Sequence, residues 1–112
     1  MDRTETQEIA HIKARLAAEI EGFDPACVGH GFADWNLATL AAFRAALIEP
    51  ERRPVNLPGG ITDEAWAVAR SNGAYQLLWL PWSDEFSLAV ESRYGLVDIN
   101  VHGNAIPCFS SV

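Results

Sequence analysis

Two pairs of cysteine and histidine residues are the most direct candidates for chemistry in this sequence. Cys27 and His30 are separated by two residues in a glycine-containing stretch, and His102 and Cys108 are separated by five residues near the C-terminus. Two thiolates and two imidazoles would satisfy the tetrahedral coordination of Zn²⁺. The second pair converges only if the chain turns at Gly103-Asn104. Free cysteines are more often small buried apolar side chains, so we expect no bound metal or cofactor and keep zinc as the alternative.

A second candidate is a row of polar side chains in the C-terminal segment. Asp98, Asn100 and His102 alternate with apolar residues, and Ser87 and Glu91 occupy the polar positions of the preceding segment. A histidine near a carboxylate can act as a general base and activate a serine hydroxyl. On a regular strand, however, residues 98 and 102 lie roughly 13 Å apart, and regular pairing places Ser87 opposite Asn100. We therefore expect a solvated sheet face and assign no catalytic residue.

The third candidate is a binding surface around residues 75–82. Trp82 follows Pro81 at a predicted turn, where its own hairpin cannot easily bury it. Tryptophan and tyrosine are enriched among the residues that dominate binding energy at protein interfaces. The predicted surface comprises Trp82, Trp79, Tyr75, Leu78 and Leu80. The alternative is that Trp82 folds over the sheet edge while the other tryptophans, including Trp35 and Trp66, fill the core.

The apolar residues in the first half of the chain recur at helical spacing. Residues 4–21 carry an apolar stripe at helical spacing, with a capping box formed by Thr4 and Gln7. Residues 34–48 carry a second stripe and end before Pro50. The sequence thus predicts two amphipathic N-terminal helices.

In the middle of the chain, the sequence predicts a loop followed by a short helix. Residues 50–61 are rich in proline and glycine, which is typical of a loop. Thr62 is a suitable N-cap for a third helix, with Asp63 and Glu64 in its first turn. Asn72-Gly73 ends that helix.

After Gly73 the spacing changes to alternation, which predicts strands at about 74–80, 85–91 and 96–102, with a fourth candidate at 105–111. A four-residue loop at 92–95 aligns the apolar residues on one face. The predicted pairs are Val90 with Val97, Leu88 with Ile99 and Phe86 with Val101. If 81–84 is also a four-residue loop, Trp79, Leu77 and Tyr75 join the same face. A slip by one residue would scatter this face.

These elements predict a single α+β domain over residues 1–112. In it, two amphipathic N-terminal helices and a short third helix pack on one face of a C-terminal, three- to four-stranded antiparallel sheet. The opposite face would expose Leu78, Leu80 and Ala89. That face is too apolar for full exposure, so we expect a two-fold dimer.

Composition and charge limit the function classes. The chain has 112 residues and a net charge of −7, which argues against nucleic-acid binding and against anionic membrane surfaces. No apolar run is long enough to span a bilayer, and Asp2, Arg3, Glu5 and Glu8 occupy the place of a signal-peptide core. We expect a cytoplasmic protein with free thiols. All basic residues except Lys13 are arginine, and alanine is abundant. This composition is typical of a protein from a GC-rich bacterial genome.

Taken together, these features predict a small acidic bacterial binding domain without enzymatic activity, which associates with itself or with another protein. The alternative function is a metal-binding protein or a small hydrolase that uses Cys27, His30, His102 and Cys108.

Overall fold

A five-stranded barrel with helices on its outer face forms the fold. The computed structural model describes residues 3–23, 33–70 and 73–111. The elements are α1 (Glu5–Gly22), α2 (Ala33–Ala46), β1 (Leu47–Leu57), β2 (Ile61–Arg70), β3 (Tyr75–Leu80), β4 (Glu85–Ser92), β5 (Gly95–Gly103) and α3 (Ala105–Phe109). Consecutive strands pair antiparallel, and β1 pairs parallel with β5 through Val55 opposite Leu96 and Asn56 opposite Val97. This last pairing closes the barrel.

The barrel contradicts the predicted fold, in which helices cover one face of an open antiparallel sheet. Strand β1 occupies most of the predicted loop, β2 replaces the predicted third helix, and α3 replaces the predicted fourth strand. Two physical reasons explain the error. Pro50 lies in the register shift of the β1–β2 ladder, and Pro54 lies outside the short ladder with β5, both positions at which a strand tolerates proline. The apolar run Ala65–Ala69 is buried throughout, and such a run fits a strand covered on both faces as well as a helix.

Helix α1 begins at the predicted capping box. The Gln7 backbone N–H donates to Thr4 Oγ1 at 3.2 Å, and the Thr4 backbone N–H donates to Gln7 Oε1 at 2.9 Å. These two bonds satisfy donors that a helix start otherwise leaves unpaired. The buried face of α1 carries Ile12, Leu16 and, unusually, Glu8. In the described part of the chain, no helix is long and apolar enough to cross a membrane.

Strand β3 is buried on both faces, and the two faces belong to two separate clusters. Leu78 and Leu80 point into the barrel, where the other members of the cluster are Val55, Ala65, Ala67, Ala89 and Leu96. Leu77 and Trp79 point outward into a second cluster with residues of α1, α2 and α3. The apolar face that motivated the predicted dimer is therefore filled by the closure of the chain's own barrel.

Helix α1 lies over one row of cross-strand partners on the outer face of the barrel. Arg52, Trp66, Trp79 and Phe86 are successive partners across β1, β2, β3 and β4. Trp66, Trp79 and Phe86 all belong to the outer cluster. Glu8 of α1 contacts this row directly, because Trp79 Nε1 donates to Glu8 Oε1 at 2.7 Å. The first turns of α1 therefore lie over the middle of the row.

Strand β5 contains a bulge that changes the predicted register. The pairing of Val90 with Val97 is confirmed, but Leu88 lies opposite Val101 and not Ile99. Two extra residues, Ile99 and Asn100, are accommodated between the paired positions. Asn100 has φ 64°, a left-handed conformation that asparagine tolerates better than most residues. Beyond the bulge, every residue of β5 is shifted by two positions, so Phe86 lies opposite Gly103 instead of Val101.

Candidate functional site

A cavity of about 440 Å³ lies between the start of α1 and the outer face of the barrel. This volume falls within the range of small-molecule and side-chain binding pockets. The lining residues are Arg3, Thr4, Glu5, Glu8, Arg52, Trp66 and Pro81. The cavity thus combines two guanidinium groups, two carboxylates and an aromatic wall.

Arg52 is held over the aromatic wall by contacts from two elements. Its guanidinium carbon lies 5.8 Å from the centre of the Trp66 ring, a separation at which a cation is attracted to an aromatic face. Arg52 Nη1 donates to Glu5 Oε1 on α1 at 3.3 Å, and Nη2 donates to Glu64 on β2. About half of the Arg52 side chain is exposed, and its two partners are exposed as well, so these ion pairs orient the guanidinium but add little stability.

Glu8 is the one carboxylate of the cavity that is buried, at 6% exposure. One of its oxygens accepts the Trp79 indole N–H, and the other accepts Arg3 Nη1 at 3.0 Å. A buried charge without such partners would be costly. Glu8 therefore joins α1 to β3 and also holds Arg3 beside the cavity.

The turn between β3 and β4 is anchored to α1 through Asp84. His11 Nε2 lies 3.0 Å from one carboxylate oxygen of Asp84, and Arg15 Nη1 donates to the other at 3.0 Å. The hydrogen bond from His11, followed by the charge of Arg15, holds the pKa of Asp84 below its ordinary value. Asp84 also adopts φ 51°, which is uncommon outside glycine. These contacts fix the turn that carries Trp82.

The residues of the predicted binding surface are placed very differently. Trp79, Leu78 and Leu80 are buried, because α1 covers one face of β3 and barrel closure covers the other. Tyr75 is half-buried at the start of the strand. Trp82 is 46% exposed, and it directly follows Pro81, which lines the cavity. Of the five residues, only Trp82 is exposed.

The bulge in β5 brings together a second polar cluster. His102 Nε2 lies 2.7 Å from Asp98 Oδ2, and His102 Nδ1 lies 3.0 Å from Glu85 Oε1. The expectation that Asp98 could not reach His102 is therefore wrong, because the bulge shortens the path between them. Ser87 lies opposite His102 and not Asn100. Asn100 could have indicated this bulge from the sequence, because asparagine tolerates the positive φ that the bulge requires.

This second cluster is not arranged for nucleophilic catalysis. Both ring nitrogens of His102 face carboxylates, Asp98 Oδ2 at 2.7 Å and Glu85 Oε1 at 3.0 Å. Among the described residues, no hydrogen bond links His102 to the Ser87 hydroxyl. The Ser87 hydroxyl is buried and has no hydrogen-bond partner among the described residues. The cluster instead links β4 to β5 across the bulge.

The remaining polar residue singled out from the sequence, Glu91, lies apart from the histidine cluster. Glu91 Oε1 accepts Gln76 Nε2 at 2.6 Å and lies 3.7 Å from Arg53 Nη2. These contacts join β4 to its neighbour β3 and to β1. Glu91 therefore contributes to closing the barrel.

The cysteine and histidine residues are only partly described. Cys27 and His30 lie outside the described residues. The Cys108 thiol is buried between the carbonyl oxygens of Phe86 and Val101, at 3.8 and 3.7 Å. Within residues 3–23, 33–70 and 73–111, no three histidine, cysteine, aspartate or glutamate side chains are placed to hold a metal ion.

We expect Cys108 to be unreactive in the folded protein. Burial, followed by the nearby charge of Glu19, raises the pKa of its thiol to about 11, and the thiolate is the reactive form. A Cys27→Ser variant leaves one thiol to follow with a chromogenic disulfide reagent. We predict slow reaction in buffer and fast reaction in urea. The neutral thiol stabilises the fold fully below its ordinary pKa, and this contribution is lost as the pH rises through about 11. Equally fast reaction in both conditions would contradict the buried position.

Several cavity residues were not found from the sequence. Arg3, Glu5, Glu8 and Arg52 carried no predicted role. Trp66 was predicted to lie in the core, which the structure confirms, but its place in the cavity lining was not predicted. The spacing of Glu5 and Glu8 on one helix face was visible. Their partners were not, because β1 and β2 were not predicted as strands.

Comparison with protein-family models, with curated proteins and with solved structures finds no match to this chain. The functional argument therefore rests on the geometry of the cavity and its surroundings.

Proposed function

We propose that this protein is a binding module that engages a protein partner at the end of the barrel where α1 begins and β3 turns into β4. The observation that carries the proposal is the cavity next to an exposed tryptophan. Pro81 lines the cavity, and Trp82 follows it with 46% of its surface exposed. Exposed aromatic side chains beside a concave surface are typical of the residues that dominate interface energies.

The way in which Trp82 is presented supports this proposal. The turn that carries it is held by the contacts of Asp84 with His11 and Arg15. Binding through a fixed turn loses less conformational entropy than binding through a flexible one. The stabilising contacts on this turn thus favour a recognition role for it.

We propose another protein, and not a second copy of this chain, as the partner. The apolar residues that favoured a dimer, Leu78, Leu80 and Ala89, are buried inside the barrel. The net charge of −7 is unfavourable for nucleic acid. Sedimentation distinguishes the two protein partners, since a second copy would give a mass above the 12.3 kDa of one chain.

The proposal is tested by affinity capture with two matched aromatic variants. Trp82→Ala removes the proposed contact, and Tyr94→Ala removes an aromatic side chain that is 80% exposed on the β4–β5 turn. We expect a protein that wild type and Tyr94→Ala retain from a lysate of the parent cells, and that Trp82→Ala loses. Equal capture by all three forms, or equal loss in both variants, would count against this surface.

A further inference from the structure

We infer that the cavity binds a carboxylate attached to a flat apolar group, with Arg52 as its anchor. This inference rests on the proposed binding function and names the chemistry that the cavity recognises. It draws on three features, which are the unused hydrogen-bond donors of the cavity, its apolar walls and its charge balance.

The unused hydrogen-bonding capacity of the cavity consists mainly of donors. Both oxygens of Glu8 are already occupied by Trp79 and Arg3. A guanidinium group has five N–H donors in a planar fork. Among the described residues, the hydrogen bonds of Arg52 engage two of its nitrogens, with Glu5 and Glu64 as acceptors. A ligand that supplies acceptors is therefore matched to this cavity better than one that supplies donors.

The walls of the cavity favour a flat apolar group beside the acceptor. Trp66 and Pro81 form the apolar part of the lining. The guanidinium carbon of Arg52 lies 5.8 Å from the centre of the Trp66 ring, so a carboxylate bound to Arg52 places its attached group near this apolar wall. Carboxylates match the guanidinium fork with two parallel hydrogen bonds.

Charge selects a singly charged anion over a phosphate. Glu5 and Glu8 line the same cavity as Arg3 and Arg52, and Glu64 also pairs with Arg52, so three carboxylates surround two guanidinium groups. A phosphate group would bring nearly two negative charges close to both glutamates, whereas a carboxylate brings one. The repulsion in the carboxylate complex is correspondingly smaller.

The test is a titration followed by ¹H–¹⁵N NMR, with the Trp66 indole N–H and the Arg52 Nε–H as reporters. Benzoate represents a free small acid, and N-acetylphenylalanine represents the carboxylate at the end of a peptide chain. Benzamide and N-acetylphenylalanine amide are the matched neutral controls. We expect saturable shifts at both reporters with at least one of the acids and none with the amides. The acid that binds more tightly identifies the source of the carboxylate.

Two variants locate the binding. Arg52→Gln is expected to weaken the binding of the acid at least tenfold, whereas Arg93→Gln, on the β4–β5 turn, is expected to leave it unchanged. Circular dichroism establishes that both variants are folded, and Arg3→Gln provides a second cavity variant. Binding of acids and amides with equal affinity, no saturable shift with either acid, or unchanged binding in both Arg52→Gln and Arg3→Gln would overturn the inference. Capture that depends on Trp82, together with no binding of either acid, would leave the proposed function standing and reject only this ligand chemistry.

Discussion

Replacing Trp79 with alanine is expected to lower the free energy of unfolding by about 3–5 kcal/mol, the range for truncating a buried aromatic side chain. The indole is fully buried in the outer cluster. It packs edge-on against Phe86 with ring centres 4.9 Å apart and against His11 at 5.3 Å. It also supplies the hydrogen bond that satisfies the buried Glu8 carboxylate. Truncation therefore leaves both a cavity and a charged acceptor with one partner fewer.

Urea unfolding followed by circular dichroism measures this loss, and two further variants separate its causes. Trp79→Phe keeps an aromatic ring but removes the N–H donor, so we expect an intermediate loss of about 1–3 kcal/mol. Trp82→Ala removes an exposed tryptophan from the following turn and should change stability by no more than about 0.5 kcal/mol. If Trp79→Ala and Trp82→Ala cost the same, Trp79 cannot be the buried contact between β3 and α1.

The alternation of residues 75–92 was sufficient to predict one hairpin correctly. The four-residue loop at 81–84 implies the pairs Tyr75–Val90, Leu77–Leu88 and Trp79–Phe86, and all three occur in the structure. The reason is that only one register puts these side chains on the same face. The alternation did not reveal that both faces of β3 are buried. Leu78 and Leu80 were read as a partly apolar outer face, because the strands that complete the barrel around them were not predicted.

Strands β1 and β2 were not predicted because their local signals favour other structures. Pro50 and Pro54 usually exclude a strand, and they occur here in the strand whose pairing with β5 is short. Thr62 followed by two acidic residues is typical of a helix start. In the structure, Thr62 Oγ1 instead donates to Asn56 Oδ1 across the β1–β2 hairpin at 2.8 Å. Tertiary pairing thus overrides the local preference.

The cavity could not be predicted without these two strands. Arg52 lies over Trp66 because the two residues are partners across β1 and β2. If residues 50–61 are a loop, nothing in the sequence indicates that these two residues, fourteen positions apart, come into contact. The exposure of Trp82, by contrast, could be predicted from the sequence because it depends only on a local feature, the turn after Pro81.

The bulge in β5 leads to the second large effect that we expect. Leu88→Ala should lower the free energy of unfolding by about 2–5 kcal/mol, because Leu88 is fully buried. Ile99→Ala should cost less, because Ile99 belongs to the bulge and is only half-buried. In the regular pairing predicted from the sequence, these two residues face each other and would have similar costs.

Double-mutant cycles distinguish the two registers directly. Leu88 lies opposite Val101 in the structure, and residues in contact show coupling energies of about 0.5–3 kcal/mol. We therefore expect the effects of Leu88→Ala and Val101→Ala to be coupled, and those of Leu88→Ala and Ile99→Ala to be additive within about 0.5 kcal/mol. The reverse result would restore the regular register. It would also separate Asp98 from His102, since their contact exists only because the two bulged residues draw the strand together.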